Sequence, residues 1–267
     1  MKYELGRLES TLIFSLERQG KRYFTVDDAR EILNTSDEVI WKVLHKLSEK
    51  KRIQRIKRGN YLLIPARAGY DTSWREEVTS FIDELLDEYY VGYWTALNLW
   101  GMTEQIPRTV FVATPLRRRS FTYDDAVSVH FITLDRRKFF GWTIMNRRGS
   151  QFKVSDPEKT IVDSMDLPQH SGGITEIAKA LQHSLDAEKM IQYADRMGNR
   201  TIHKRLGYII DNFNPGYPEE AVEALREKIS SGYTWLDPTA PQKPLHYNSD
   251  WNLKINIPPS SLRSALE

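Results

Sequence analysis

The chain contains no cysteine, which excludes disulfides, thiolate nucleophiles and cysteine-ligated zinc. It also lacks a long apolar run. The longest stretch without a charge, residues 89–103, is broken by Gly, Thr and Asn and is too short to cross a bilayer. The first ten residues, MKYELGRLES, have none of the apolar core of a signal peptide. A cytoplasmic location and no membrane partner are therefore expected. The six histidines show no i, i+4 pair or other metal-ligand spacing. Gly172-Gly173 is not followed by the Lys-Ser/Thr of a phosphate loop, and no internal repeat or low-complexity segment is present.

The 267 residues are long for one domain and comfortable for two. Hydrophobic residues make up 40% of the chain and charged residues 28%, a balance that supports a packed core and argues against wholesale disorder. Net charge is only +2, but it is unevenly placed. Residues 1–66 hold 14 Lys/Arg against 9 Asp/Glu, and the remainder holds 24 against 27. A basic small domain joined to a mildly acidic larger one fits a polyanion-binding module with a separate function attached.

Within the basic part, Leu5, Leu8, Leu12 and Leu16 mark one face of a helix over residues 5–19 that ends at Gly20. A short strand is expected at 22–24. Thr25 with Asp28, and Thr35 with Glu38, have the spacing of capping boxes that start two further helices, with Asn34 between them. Val39, Ile40, Val43, Leu44 and Leu47 form the apolar stripe of the second. Alternation then replaces helical period around Arg58-Gly59-Asn60, where Gly59 supplies the positive φ of a hairpin turn. Helix, turn, helix and basic hairpin make a winged helix-turn-helix over residues 1–66.

That reading selects the residues placed to touch a duplex. Ser36, Trp41, Lys42, His45 and Lys46 lie on the polar side of the recognition helix, which would enter the major groove. Arg55, Lys57, Arg58 and Asn60 lie on the wing, where phosphates and the adjacent minor groove are within reach. From Lys42 to Arg58 there are eight Lys/Arg, one His and one acid. This bias favours DNA over a merely solvated face or a protein-binding adaptor.

A larger mixed domain is expected over residues 67–258. An acidic amphipathic helix spans 74–89, and strands follow at 109–114, 127–134, 139–145 and 151–154 as an antiparallel section. A helical section from Asp156 to about Ser231 is cut into four segments by Gly172-Gly173, Gly198 and Pro215-Gly216. Residues 235–259 are extended chain on the core, and 259–267 a loose tail. The fold class is thus α+β. Basic clusters at 117–119, 136–138 and 147–148 read as hairpin ends, or as an extension of a phosphate track.

The candidate catalytic motifs fail. In Ser155-Asp156-Pro157-Glu158-Lys159 the simpler reading is a helix start, with Ser155 or Asp156 as cap, Pro157 in the first turn and Glu158 closing a capping box. Gly149-Ser150 begins like a nucleotidyltransferase signature, but Thr160–Ser164 offers only Asp163, and Met165 stands where the second metal-binding carboxylate belongs. No enzyme activity, cofactor or metal is expected. The rival reading, a DNA-directed nuclease, requires Asp124, Asp125, Asp156 and Glu158 to converge on a metal.

Several segments resemble one family. Val91-Gly-Tyr-Trp-Thr-Ala-Leu-Asn-Leu-Trp-Gly-Met-Thr-Glu-Gln-Ile-Pro107 with the strand to Thr114, Asp156-Pro-Glu-Lys-Thr-Ile-Val-Asp163, Gly172-Gly-Ile-Thr-Glu-Ile177, Lys204-Arg-Leu-Gly-Tyr208 and Gly59-Asn-Tyr-Leu-Leu-Ile-Pro65 look like the AbiEi antitoxin-type transcriptional regulators. The resemblance runs in order through nearly the whole chain. It implies an N-terminal winged helix that binds operator DNA and represses its own operon. It further implies a C-terminal domain that antagonises a nucleotidyltransferase toxin without a stable complex, in a monomer or homodimer. It supplies no catalytic set.

Overall fold

Thr25 opens a helix as its spacing requires: its hydroxyl accepts from the Asp28 N–H, and the Asp28 carboxylate accepts from the Thr25 N–H at 2.6 Å. The computed structural model in which this is seen describes residues 4–64, 77–123, 127–213 and 216–266. The chain divides into two compact units, Met1–Asp87 with Ser120–Val129, and Glu88–Arg119 with His130–Glu267. The boundary expected near residues 66–73 lies outside the described residues, and the smaller unit runs further along the chain than residue 66. The fold is α+β.

The smaller unit contains α1 (Arg7–Arg18), β1 (Tyr23–Thr25), α2 (Val26–Leu33), α3 (Asp37–Glu49), β2 (Ile53–Lys57) and β3 (Asn60–Leu63). The strands form an antiparallel sheet in the order β1-β3-β2. Three helices and a three-stranded sheet in this order make a winged helix-turn-helix. Leu12, Leu16, Ile40, Leu44 and Leu47 are fully buried at its centre, and Phe24 stacks on Tyr61 at 5.6 Å. Asn34 adopts a left-handed conformation, φ 43°, that turns the chain from α2 to α3. The Thr35–Glu38 capping box does not form. The helix begins one residue later, with Ser36 at its cap, and Glu38 turns outward to Lys42.

The helix expected over 74–89 is not formed in its described part, which has only a 3₁₀ turn at Val78–Ser80 and α4 (Ile82–Leu85). Tyr89, Tyr90 and Val91 are wholly buried and lead into a strand, as a continuous apolar run buried on both faces favours. Glu84 instead accepts from the backbone N–H groups of Arg22 and Tyr23 at 3.1 and 2.7 Å, satisfying the outer edge of β1. The unit is completed by β6 (Phe121–Tyr123), which pairs with the start of β7 (Val127–Thr133).

The larger unit carries β4 (Tyr90–Val91), α5 (Tyr93–Leu99), β5 (Thr109–Thr114), β8 (Trp142–Arg147) and β9 (Ser150–Ser155). Its sheet runs β7-β5-β4-β9-β8. The expected antiparallel pattern holds for β4–β5 and β8–β9, but β4 lies parallel to β9, Val91 opposite Val154. The Leu134 N–H donates to the Thr114 carbonyl at 2.9 Å, which sets the C-terminal ends of β7 and β5 side by side in a second parallel pair. The strand expected at 139–145 starts at Trp142, because Arg136–Lys138 form a 3₁₀ turn. The helical section follows as α6 (Pro157–Asp166), α7 (Ile174–Ala180), α8 (Ala187–Met197), α9 (Arg200–Phe213) and α10 (Glu219–Arg226). This is one segment more than expected, since Asp186 caps a separate α8 by accepting from the Lys189 N–H at 3.0 Å. Every residue of α6 from Glu158 to Met165 is buried, so this helix forms the axis of the unit.

The extended C-terminal stretch is a small sheet, β10 (Thr234–Trp235), β11 (His246–Asn248) and β12 (Leu253–Ile255), in the order β10-β12-β11. Residues 259–267, expected as a loose tail, instead hold α11 (Pro259–Leu266), whose Leu262 is fully buried in the core. One apolar side chain at helical phase suffices to dock such a short segment. Asp237 accepts from the Ile174 N–H at 2.9 Å and so caps α7, which the preceding Gly173 has no side chain to do.

Acid should loosen the winged helix through Glu9. This carboxylate is 4% exposed and accepts from Lys50 Nζ at 2.6 Å and from the Gly6 N–H at 2.9 Å. Burial alone would raise its pKa, but these bonds and the Lys50 charge hold it below the ordinary 4.5. A depressed carboxylate contributes stability that is present above its unfolded value and lost as pH falls through the folded one. Thermal unfolding followed by the Trp41 indole resonance should therefore show a melting midpoint that drops below pH 4.5. Glu9→Gln should melt lower at neutral pH with a flatter acid limb, and parallel acid limbs would refute the assignment.

Candidate nucleic-acid interface

With Ile40, Val43, Leu44 and Leu47 turned inward, helical period puts Glu38, Trp41, Lys42, His45 and Lys46 outward on α3, and all five are exposed. Ser36 is also exposed, at the helix start. Trp41 is 46% accessible, unusually open for so large an apolar ring. This face is not simply basic. Lys42 donates to Glu38 at 2.6 Å, and His45 stands 3.6 Å from Glu49. Arg30 on α2 pairs with Asp27 and, at 2.9 Å, with Asp37. Glu49 is expected on this polar side from the sequence; the pairing of Glu38 with Lys42 is not, although its i, i+4 spacing, like that of His45 with Glu49, is visible there.

The wing differs. Arg55, Lys57 and Arg58 are exposed, and Arg55 and Arg58 have no carboxylate partner among the described residues. Gly59, φ 76°, closes the turn as its position requires. Lys57 Nζ lies 5.9 Å from the centre of the Phe121 ring on β6, a strand with no signal in the sequence beyond three residues of alternation. Asn60 departs from expectation. It is half-buried, its side chain accepts from the Tyr23 hydroxyl, and its amide donates to the Arg58 carbonyl at 2.8 Å. It shapes the wing and is not free to reach a duplex.

The other basic clusters separate by partner. Arg117, Arg118 and Arg119 are exposed. Arg136 makes a forked bond to Glu88 at 2.8 and 3.1 Å, Arg137 pairs with Asp135, and Lys138 donates to Asp166 at 2.7 Å. The 136–138 cluster is therefore largely neutralised within its own unit. Arg147 ends β8 and Arg148, at φ 51°, lies in the turn that leads to β9.

The residues considered for catalysis are occupied structurally. Asp156 caps α6 by accepting from the Lys159 N–H at 2.8 Å. Glu158 closes no capping box; burial alone would raise its pKa, but the bond from Lys189 at 2.8 Å, the Asp186 N–H and the Lys189 charge outweigh that and hold it below the ordinary value. Lys159 and Asp163 form an ion pair with both side chains 0% exposed. Asp124 and Asp125 lie outside the described residues. Among the described residues no three His, Cys, Asp or Glu side chains are grouped to share a metal ion, and no helix is long and apolar enough to cross a membrane.

No protein-family model matches the chain, and no curated protein matches it. Among solved structures, the chain is similar to the crystal structure of the RV2827C protein from Mycobacterium tuberculosis. The TM-score is 0.65 at 14% identity, over 94% of this chain and 92% of that one. Likeness at that identity speaks for the fold alone, and it covers both units.

Proposed function

We propose that this protein is a sequence-specific DNA-binding transcriptional regulator whose winged helix contacts operator DNA. The observation that carries the reading is the wing: two exposed arginines, Arg55 and Arg58, without carboxylate partners among the described residues, on a hairpin beside an exposed recognition-helix face. Unpaired guanidiniums suit phosphate oxygens. The charge-balanced stripe of α3 suits base edges better than phosphates, since only there do Trp41, Lys42 and His45 gain from being mixed in character. The AbiEi resemblance supports the finer proposal of an autorepressing antitoxin that counters a nucleotidyltransferase toxin through its larger unit.

A mobility-shift titration on the gene's own upstream duplex tests this. Arg55→Ala/Arg58→Ala should weaken binding about tenfold for all sequences and flatten the slope of log affinity against log salt by about two. Lys42→Ala/Lys46→Ala should cost roughly 1–3 kcal/mol and relax sequence preference. Failure of the wild type to retain any duplex in dilute buffer would end the proposal.

A further inference from the structure

β8 is the edge strand of the larger unit's sheet, and it is poorly protected. Natural edges are blunted by proline, bulges or charge. β8 pairs with β9 in unbroken register from Trp142↔Ser155 to Arg147↔Ser150, and residues 142–146 contain no proline and no charge. On the same strand, Trp142 is 41% exposed and Ile144 61%.

The turn fixes which backbone groups are open. Arg147 and Ser150 close a two-residue hairpin, so they exchange hydrogen bonds with each other. Bonding alternates along an antiparallel pair, so Met145 and Thr143 also point their N–H and C=O toward β9. The groups of Trp142, Ile144 and Asn146 point away from the sheet. The residues with free backbone edges therefore include the two with exposed apolar side chains.

We propose that β8 is a self-pairing surface, on which a second copy of this chain adds its own β8 antiparallel about a two-fold axis at Ile144. A two-fold antiparallel pair can centre on a bonded or a non-bonded residue pair, and of the axes along this strand the one at Ile144, the middle of the three outward-pointing residues, engages all three. Centred there, Ile144 meets Ile144, Trp142 meets Asn146, and Arg147 meets Gly141, so no like charges face each other. Trp142 lies diagonal to the opposing Ile144 and covers it. An axis at Asn146 would leave Trp142 unpaired, and one at Thr143 or Met145 would engage only two of the three outward residues, because the third would face residue 140 or 148 outside the strand. The closed two-fold consumes both edges and stops further addition. This surface does not depend on the DNA-binding proposal.

Sedimentation of the full chain over a range of concentrations tests it, together with two cysteine variants made in a chain that has no native thiol. The wild type should rise from 31.2 kDa toward twice that mass, and Ile144→Lys should hold the single mass throughout, because two ammonium groups would meet on the axis. In the opposed pair the two Ile144 Cα atoms are about 5.5 Å apart, within disulfide reach. Ile144→Cys should therefore oxidise to a covalent dimer about tenfold faster than Thr143→Cys, which has no copy of itself opposite. A wild type of single mass at the highest soluble concentration overturns the proposal. So does a dimer indifferent to Ile144→Lys, or equal oxidation rates at the two positions.

Discussion

Replacing Gly207 by alanine is expected to unfold the larger unit. Gly207 lies in the middle of α9, where glycine weakens a helix by about 1 kcal/mol relative to alanine. On propensity alone the substitution would stabilise. A Cβ there, however, would stand 1.9 Å from Cζ3 and 2.1 Å from Cη2 of Trp251. That ring is fully buried, donates from Nε1 to Asp211 at 2.9 Å, and lies beneath the Arg226 guanidinium at 5.3 Å. It has nowhere to retreat. Overpacking of this severity should cost about 3 kcal/mol or more, read by denaturant unfolding and by loss of near-ultraviolet dichroism. Trp251→Leu placed on Gly207→Ala should restore part of the loss. An alanine variant that unfolds at the wild-type midpoint would contradict the packing.

The second large effect concerns the ion pair at the axis of the same unit. Lys159 donates to Asp163 one turn along α6, and Asp163 also accepts from the Tyr90 hydroxyl at 2.8 Å. The ammonium also donates to the Tyr90 hydroxyl at 3.2 Å and meets the Phe140 ring at 4.6 Å and Met197 Sδ at 3.5 Å. Burial depresses the lysine and raises the aspartate, and their mutual attraction opposes both shifts. Asp163→Ala would leave the buried ammonium without its counter-charge, with the Tyr90 hydroxyl and Met197 Sδ left to accept from it, at a cost of roughly 3–5 kcal/mol. Lys159→Met/Asp163→Leu together should cost less than either single change, because no charge is left without a partner. The stranded lysine sheds its proton more readily than in the unfolded chain. The Asp163→Ala variant should therefore regain stability as pH rises toward the ordinary lysine value of 10.5. A loss that does not change with pH would show that the ammonium is not the source.

What could be read in the sequence was local chemistry. The Thr25–Asp28 cap, the Gly59 turn, the stripe of α3 and β5 at Thr109–Thr114 each depend on residues a few positions apart, and each forms as expected. The exposed face of α3 followed from the same periodicity. What was not legible depends on distant partners. Asn60 reads as a wing contact by position, but its side chain accepts from the hydroxyl of Tyr23, 37 residues earlier. Tyr89 reads as the end of an amphipathic helix, because only β5 and β9, which flank Tyr90–Val91, make the stretch that follows it a buried strand. Lys159 and Asp163 have the spacing of any surface helix pair, and their burial arises from the helices and sheet packed around α6.

The remote cap on α7 sets an order of events during synthesis. Its first amide is satisfied by Asp237, whose own backbone N–H and carbonyl are held by the Asn256 side chain at 3.1 and 2.6 Å. Both partners leave the ribosome long after α7 itself. The nascent larger unit must therefore wait, with that helix end bare, until its final strands emerge, while the winged helix ahead of it already has its own core in hand.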